Sequence, residues 1–414
     1  MFSALGPGLI TGASDDDPSG IGTYSQAGAQ FGYSIGWTML LTFPLMVAIQ
    51  EISARIGRTT GHGIAGNLCR HFPRGLLYPI IVLLFIANAI NIGADLNAMG
   101  DATRMLIGGT PWLFIPLFSV VTTVLIVFLS YERYASVLRW LTLSLFAYVA
   151  ALFALKLDWA AAIQGVLVPH VEWNKDFLTT LMAIFGTTIS PYLFFWQASQ
   201  EAEEQRIDPE RKPLVDAPRQ AKGEFERIRA DTVVGMAFSN LIAISIIITT
   251  AATLHAHGIK DIATSTQAAE ALRPIAGPFA FVLFAAGIIG TGLLAIPVLA
   301  GSAAYAVGET FKWPVGLDRK PHRARAFYAT LVCTTAAGTA VTLSGIDPIK
   351  ALYWSAVING LVAVPIMTIM MLMAGRDKIM GQFAVEGWLW RLGWLATAVM
   401  ALSAVCMVLA NFIS

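Results

Sequence analysis

Apolar residues fall in long blocks along this chain, separated by short polar segments. A helix that crosses a bilayer needs roughly 20 mostly apolar residues. Blocks of that size predict spans at 5–31, 34–54, 76–97, 112–131, 136–156, 177–199, 232–254, 278–308, 326–344, 349–373 and 388–412, eleven in all. The first block has no basic leading segment and is polar in its middle, so it reads as a span and not as a cleaved leader. The longest polar stretch, Gln200 to Asp231, carries Pro209, Pro213 and Pro218 and reads as a loop between the sixth and seventh spans. The expectation is an all-α polytopic membrane protein forming one transporter domain over 1–414.

Two of the blocks are interrupted. The first breaks at Ser14-Asp15-Asp16-Asp17-Pro18-Ser19-Gly20, the sixth at Gly186-Thr187-Thr188-Ile189-Ser190-Pro191-Tyr192. Proline within a helix removes a hydrogen bond and clashes with the preceding turn. The two breaks are five spans apart. Five is odd, so the two halves run in opposite directions through the bilayer. This is the pattern of an inverted-repeat transporter, whose binding site lies where the broken helices meet near the midplane. Repeat one is expected over about 1–156, repeat two over about 177–373, and an extra helix over about 388–412.

Charge supports the same topology. With the N-terminus placed in the cytoplasm, 21 of the 27 Lys and Arg residues fall in cytoplasmic segments and 6 on the other side. The C-terminus is then outside, and a bacterial-type plasma membrane is expected. The chain is 56% hydrophobic and 13% charged, with a mean hydropathy of +0.66. A soluble domain carries roughly 25% charged residues. A net charge of +1 gives no reason to expect a nucleic-acid partner. The basic cluster from Arg206 to Arg229 reads as a solvated loop, with anionic lipid as an alternative contact. Cys69, Cys333 and Cys406 show no metal-ligand spacing and imply no disulfide framework. Trp112, Trp173, Trp313, Trp354 and Trp388 sit near span ends, where interfacial anchors belong.

The chemistry concentrates at the first break. A charged side chain at the bilayer centre costs at least ~2.5 kcal/mol on insertion scales. Asp15, Asp16 and Asp17 therefore line water, bind a cation or carry protons, and no basic residue in a nearby span is an evident partner. Unwound helices also expose main-chain carbonyls, which with carboxylates and hydroxyls suit hard cations. Thr187, Thr188 and Ser190 are compatible with such a site, although each alone reads as well as a helix-to-helix hydrogen bond. Asn88 and Asn91 could line the path but read rather as interhelical hydrogen bonds, and Glu51 with Arg55 reads as a structural ion pair.

At these residues the sequence resembles the Nramp divalent-metal transporters. Gly6-Pro7-Gly8, eight residues, then Asp17-Pro18 is similar to that family's first helix, where the motif reads Asp-Pro-Gly-Asn. Ala54 to Gly66 resembles the end of its second helix, and Gly186 to Tyr192 its Gly-Ala-Thr-Val-Met-Pro-His. The resemblance implies a LeuT-type fold of two inverted five-helix repeats plus an eleventh helix. It places the metal-binding aspartate at Asp17 and the main-chain donor at Thr187. The binding asparagine becomes Gly20, the binding methionine Ser190, and the histidine after the proline Tyr192. Asp16, Tyr192 and Asn359 are secondary candidates, Asn359 lying near the family's glutamine ligand. Asp95 matches one member of an acidic pair whose partner becomes Ala98, and the ninth span lacks the arginines of proton-coupled members.

A thioether favours later transition metals, and a hydroxyl in its place removes that preference. Mg2+ dehydrates reluctantly and keeps several waters. Gly20 and Ser190 therefore point to the Nramp-related magnesium branch. The expected function is electrogenic, uncoupled Mg2+ uptake, with Mn2+ as a further substrate, by a monomeric carrier that needs no cofactor. One alternative is a proton-coupled Mn2+/Fe2+ symporter. Another is a sodium-coupled amino-acid symporter, whose substrate carboxylate would sit poorly beside three aspartates. An enzyme is not expected, since neither a His-rich metal motif nor a Gly-x-Ser-x-Gly nucleophile is present.

Overall fold

A computed structural model describes residues 7–128, 143–155, 157–262 and 264–413. The described residues are almost wholly helical and contain no strand. The helices used below are α1 (Pro7–Asp15), α2 (Pro18–Phe31), α3 (Trp37–Thr60), α4 (Ile64–His71), α5 (Arg74–Ile107), α6 (Pro111–Phe128), α7 (Phe146–Ala154), α8 (Trp159–Leu167), α9 (Lys175–Thr188), α10 (Pro191–Ile207), α11 (Ala221–Thr253), α12 (Ala280–Thr310), α13 (Arg325–Val341), α14 (Pro348–Ala374) and α15 (Gly387–Ile413).

Eight helices among the described residues are long and apolar enough to cross a membrane, counting α9 with α10 as one. The other three predicted spans fall short of that standard for different reasons. The first is divided into α1 and α2, of 9 and 14 residues. The fifth lies partly outside the described residues, which hold only α7 and its preceding turn. The ninth, α13, has 17 residues. Length and composition therefore do not establish eleven crossings. Arg133 and Arg139, part of the charge argument, lie outside the described residues.

The two breaks fall where the sequence places them, but proline acts differently from an interior kink. Pro18 and Pro191 each occupy the first turn of the following helix. There the missing N–H costs nothing, and the fixed φ favours helix entry. The breaks are thus true ends and restarts. Around them, α1 and α2 pack on α11, α2 and α9 on α14, α3 on α10, and α5 on α12, α13 and α14. Glycine allows the closest approaches. An ideal Cβ on Gly186 would lie 2.0 Å from the Ala356 carbonyl oxygen and 2.5 Å from the Gly360 nitrogen.

The predicted loop from Gln200 to Asp231 is mostly helical, with α10 running to Ile207 and α11 starting at Ala221. Ion pairs explain the difference. Glu201 meets Arg227 at 2.6 Å, Glu204 meets Arg211 at 2.6 Å, and Glu224 meets Arg227 at 3.0 Å and Arg58 at 3.2 Å. These pairs carry two polar helix ends beyond their apolar segments. The link between them, 208–220, is tied to α3 by hydrogen bonds from the Leu214 and Val215 amides to the Arg58 and Thr59 carbonyls. Glu51 and Arg55 form an ion pair at 2.6 Å. Asn88 bonds across to the Leu299 carbonyl and Ser302. The five tryptophans named above are all exposed, with a broad apolar surface around the helices.

Candidate metal-binding site

Asp17 lies with Asp16 between the end of α1 and the start of α2. It is the N-cap of α2, and Oδ1 accepts the Gly20 amide at 2.8 Å and the Ser19 hydroxyl at 2.7 Å. A carboxylate at a helix N-terminus faces the positive end of the dipole and takes up donors that lack helical partners. Oδ2 accepts the side-chain amide of Asn91, on α5, at 2.9 Å. The Tyr192 hydroxyl lies 3.4 Å from the same oxygen and 3.0 Å from the Ser14 carbonyl. Asp17 is 1% exposed. Its bonding partners are nitrogen and oxygen donors, without sulfur or imidazole.

The second break faces the first. Thr187, in the last turn of α9, points its hydroxyl at Gly20: an ideal Cβ there would lie 3.2 Å from Thr187 Oγ1 and 3.3 Å from Tyr24 Cε2. Gly20 is therefore close-packed in this conformation and leaves no open space for an added side chain. Ser190 caps α10, but its hydroxyl donates back to the Gly186 carbonyl at 2.7 Å and the Thr187 carbonyl at 2.9 Å. It turns toward the end of α9, where those carbonyls would otherwise lack partners.

Asp16 lies apart from this group, its carboxylate meeting Ser239 of α11 at 3.1 Å. Among the described residues, no three His, Cys, Asp or Glu side chains gather as a metal-holding group. Asn359 is buried on α14, one residue before the Gly360 that packs on Gly186, and both atoms of its amide lack partners. Asn91 Oδ1 is likewise buried without a partner. Buried polar atoms without partners are costly, and several around one carboxylate mark a place built to hold water or an ion.

The structure thus brings Asp17, Gly20, Thr187 and Tyr192 together and leaves Ser190 beside them. Sequence reasoning read Asn91 as an interhelical hydrogen bond but did not name Asp17 as its partner. It also missed Tyr24 and Ser239. A polar residue one turn from Asp95 was the available signal for Asn91; nothing local marked the other two.

Comparison with known proteins bears on the family and the fold. The Nramp family profile, natural resistance-associated macrophage protein-like, matches residues 8–410. The divalent metal cation transporter MntH of Pectobacterium carotovorum is 25% identical over 407 residues, covering 95% of this chain and 91% of that protein. MntH of Burkholderia ambifaria is 26% identical over 403 residues, covering 93% and 84%. Among solved structures, the Eremococcus coleocola manganese transporter superposes with a TM-score of 0.74 at 16% identity, over 97% of this chain and 85% of that one. MhsT in complex with L-phenylalanine gives 0.62 at 13% identity, over 98% and 97%. The last two likenesses concern the fold, which is LeuT-type. With the broken helices, the aspartate between them and a family match over nearly the whole length, the chain belongs to the Nramp family.

Proposed function

We propose that this protein carries divalent metal ions across a membrane by alternating access, with Asp17 as the charged ligand. Members of the family transport metal ions and are not enzymes, and the metal is cargo, so no cofactor is required. The observation that carries the reading is the buried Asp17 carboxylate between two helix ends, with the partnerless Oδ1 of Asn91 beside it. The Thr187 carbonyl and the main chain near Gly20 would add dipoles, with Ser190, Tyr192 and Asn359 reaching the ion directly or through water. Oxygen ligands of this kind suit Mg2+ and Mn2+.

Two finer readings differ in the ion and its coupling. Uncoupled Mg2+ uptake is supported by Ser190 and Gly20, which leave no thioether or amide ligand at those positions. The membrane potential alone would suffice, since a divalent ion gains roughly 4.6 kcal/mol across 100 mV. Proton-coupled Mn2+/Fe2+ transport is better supported by the relatives, which are named for manganese or for divalent metals. Both readings place the N-terminus in the cytoplasm and the C-terminus outside.

Proteoliposomes with the potential clamped by potassium and valinomycin, and a pH dye inside, separate the readings. The Mg2+ reading requires Mg2+ uptake without luminal acidification. Metal-dependent acidification with Mn2+ uptake, absent in Asp17→Ala, establishes the proton-coupled alternative. Wild-type flux in well-folded Asp17→Ala overturns the site itself.

A further inference from the structure

The donors around the Asp17 carboxylate do not hold it equally. An ionised carboxylate has two oxygens and about four lone-pair positions. Oδ1 takes the Gly20 amide at 2.8 Å and the Ser19 hydroxyl at 2.7 Å. Both donors belong to the first turn of α2, which Asp17 caps, so they travel with it. Oδ2 takes the Asn91 amide of α5 at 2.9 Å. The fourth approach is covered by the Tyr192 hydroxyl at 3.4 Å. Hydroxyl donors normally stand about 2.5–2.7 Å from a carboxylate oxygen, so this contact is the weakest of the four.

The same hydroxyl has a better acceptor. It lies 3.0 Å from the Ser14 carbonyl oxygen, in the last turn of α1. A phenol carries one proton, so bonding to Ser14 leaves Asp17 with the longer arm. Tyr192 is 1% exposed, and the approach that its oxygen covers is closed to bulk solvent.

Chain connectivity makes this donor the separable one. Tyr192 is the second residue of α10, directly after the break. Ser190, before it, bonds back to the Gly186 and Thr187 carbonyls and stays with α9. Asn91 is fixed by α5, a 34-residue helix packed on α12, α13 and α14. A change in the angle of α10 against α1 therefore moves the Tyr192 hydroxyl and leaves the other three donors in place. An O–H donor and a cation cannot use the same lone pair, so the ion reaches this side of Oδ2 only when the phenol has left it.

We infer that the Tyr192 hydroxyl is the exchangeable contact at Asp17, and that the ion takes the fourth acceptor position as the phenol gives it up. Tyr192 is then a positioning residue that competes with the ion at Oδ2 in this conformation. The exchange rests on Asp17 being the charged ligand, as proposed above, and regulates that same site. It gives Tyr192 an effect opposite in sign to that of a ligand. Removing a ligand weakens binding, whereas removing a competitor strengthens it.

The test is Mn2+ binding by calorimetry to the full-length protein in nanodiscs, with Mn2+ uptake in proteoliposomes. Tyr192→Phe removes the hydroxyl and keeps the ring. Affinity should rise about threefold to tenfold, the worth of one neutral hydrogen bond, and the KM for uptake should fall by a similar factor. Asp17→Ala should bind no Mn2+. Weaker or unchanged affinity in Tyr192→Phe, with binding lost in Asp17→Ala, overturns the exchange and leaves Asp17 as the ligand. A hydroxyl that only ties α10 to α1 gives the unchanged case, with a lower melting temperature. Wild-type affinity in Asp17→Ala overturns both readings. Tyr192→Leu, also without a hydroxyl, carries the same expectation and decides the matter if Tyr192→Phe does not fold.

Discussion

Asn91 donates its side-chain amide to Oδ2 of Asp17 at 2.9 Å, joining the middle of α5 to the gap between α1 and α2. The bond orients the carboxylate from a helix outside the broken pair. Asn91 Oδ1 remains without a partner, so the same side chain can also face the ion or its water.

Replacing Asn91 with Ala should therefore weaken metal binding while the protein stays folded. A hydrogen bond to a charged group contributes about 1.5–3 kcal/mol, so a loss of roughly tenfold to a hundredfold in Mn2+ affinity is expected. Calorimetry on the detergent-purified variant measures it. Unchanged affinity would mean that the amide only fills space.

Gly186→Ala should damage the packing of α9 on α14. The new methyl would meet the Ala356 carbonyl oxygen at 2.0 Å and the Gly360 nitrogen at 2.5 Å, and both are backbone atoms. Overpacking of this kind costs about 1–3 kcal/mol or more. The melting temperature should drop, and metal binding should weaken with it because Thr187 follows directly. A variant as stable as wild type would show that the two helices can separate freely.

Arg58 is fully buried. It pairs with Glu224 at 3.2 Å and donates to the Lys212 carbonyl at 2.6 Å and to Gln220 at 2.8 Å. Arg58→Met removes one partner from a largely buried ion pair, for which losses of about 3–5 kcal/mol are typical. The 208–220 link should then become sensitive to limited proteolysis. Resistance equal to wild type would show that the remaining ion pairs hold the link unaided.

His62 lies in the turn between α3 and α4, half-buried near Arg70 and Arg206, and burial first, then those charges, pushes its pKa down to about 4. The folded state thus prefers the neutral ring. Its contribution to stability is complete above the ordinary value of 6.5 and is lost as pH falls from there toward 4. Thermal melts of wild type and His62→Gln should lie closest near neutrality and diverge as pH falls from 6.5 toward 4, with wild type losing stability. Parallel curves across that range would mean that the ring is solvated.

Several features were legible from local sequence because local physics decides them. Apolar block length gives the spans, proline and three aspartates in one block give the break, and Glu51 with Arg55 follows from helical spacing. Features that depend on partners distant in sequence were not legible. The stretch from Gln200 to Asp231 looks like a loop until Arg58, Arg211 and Arg227 are seen to neutralise its glutamates.

By itself, the sequence determined a polytopic helical transporter with a carboxylate at the first helix break. The energy of placing apolar blocks in lipid and charge out of it acts residue by residue. The tertiary structure alone decided how the three aspartates divide. Asp17 takes its donors from α2, α5 and α10, while Asp15 and Asp16 turn to Ser239 on α11. At the helix break Asp15 and Asp16 turn one way and Asp17 another, and the helices packed on each side set what each carboxylate meets.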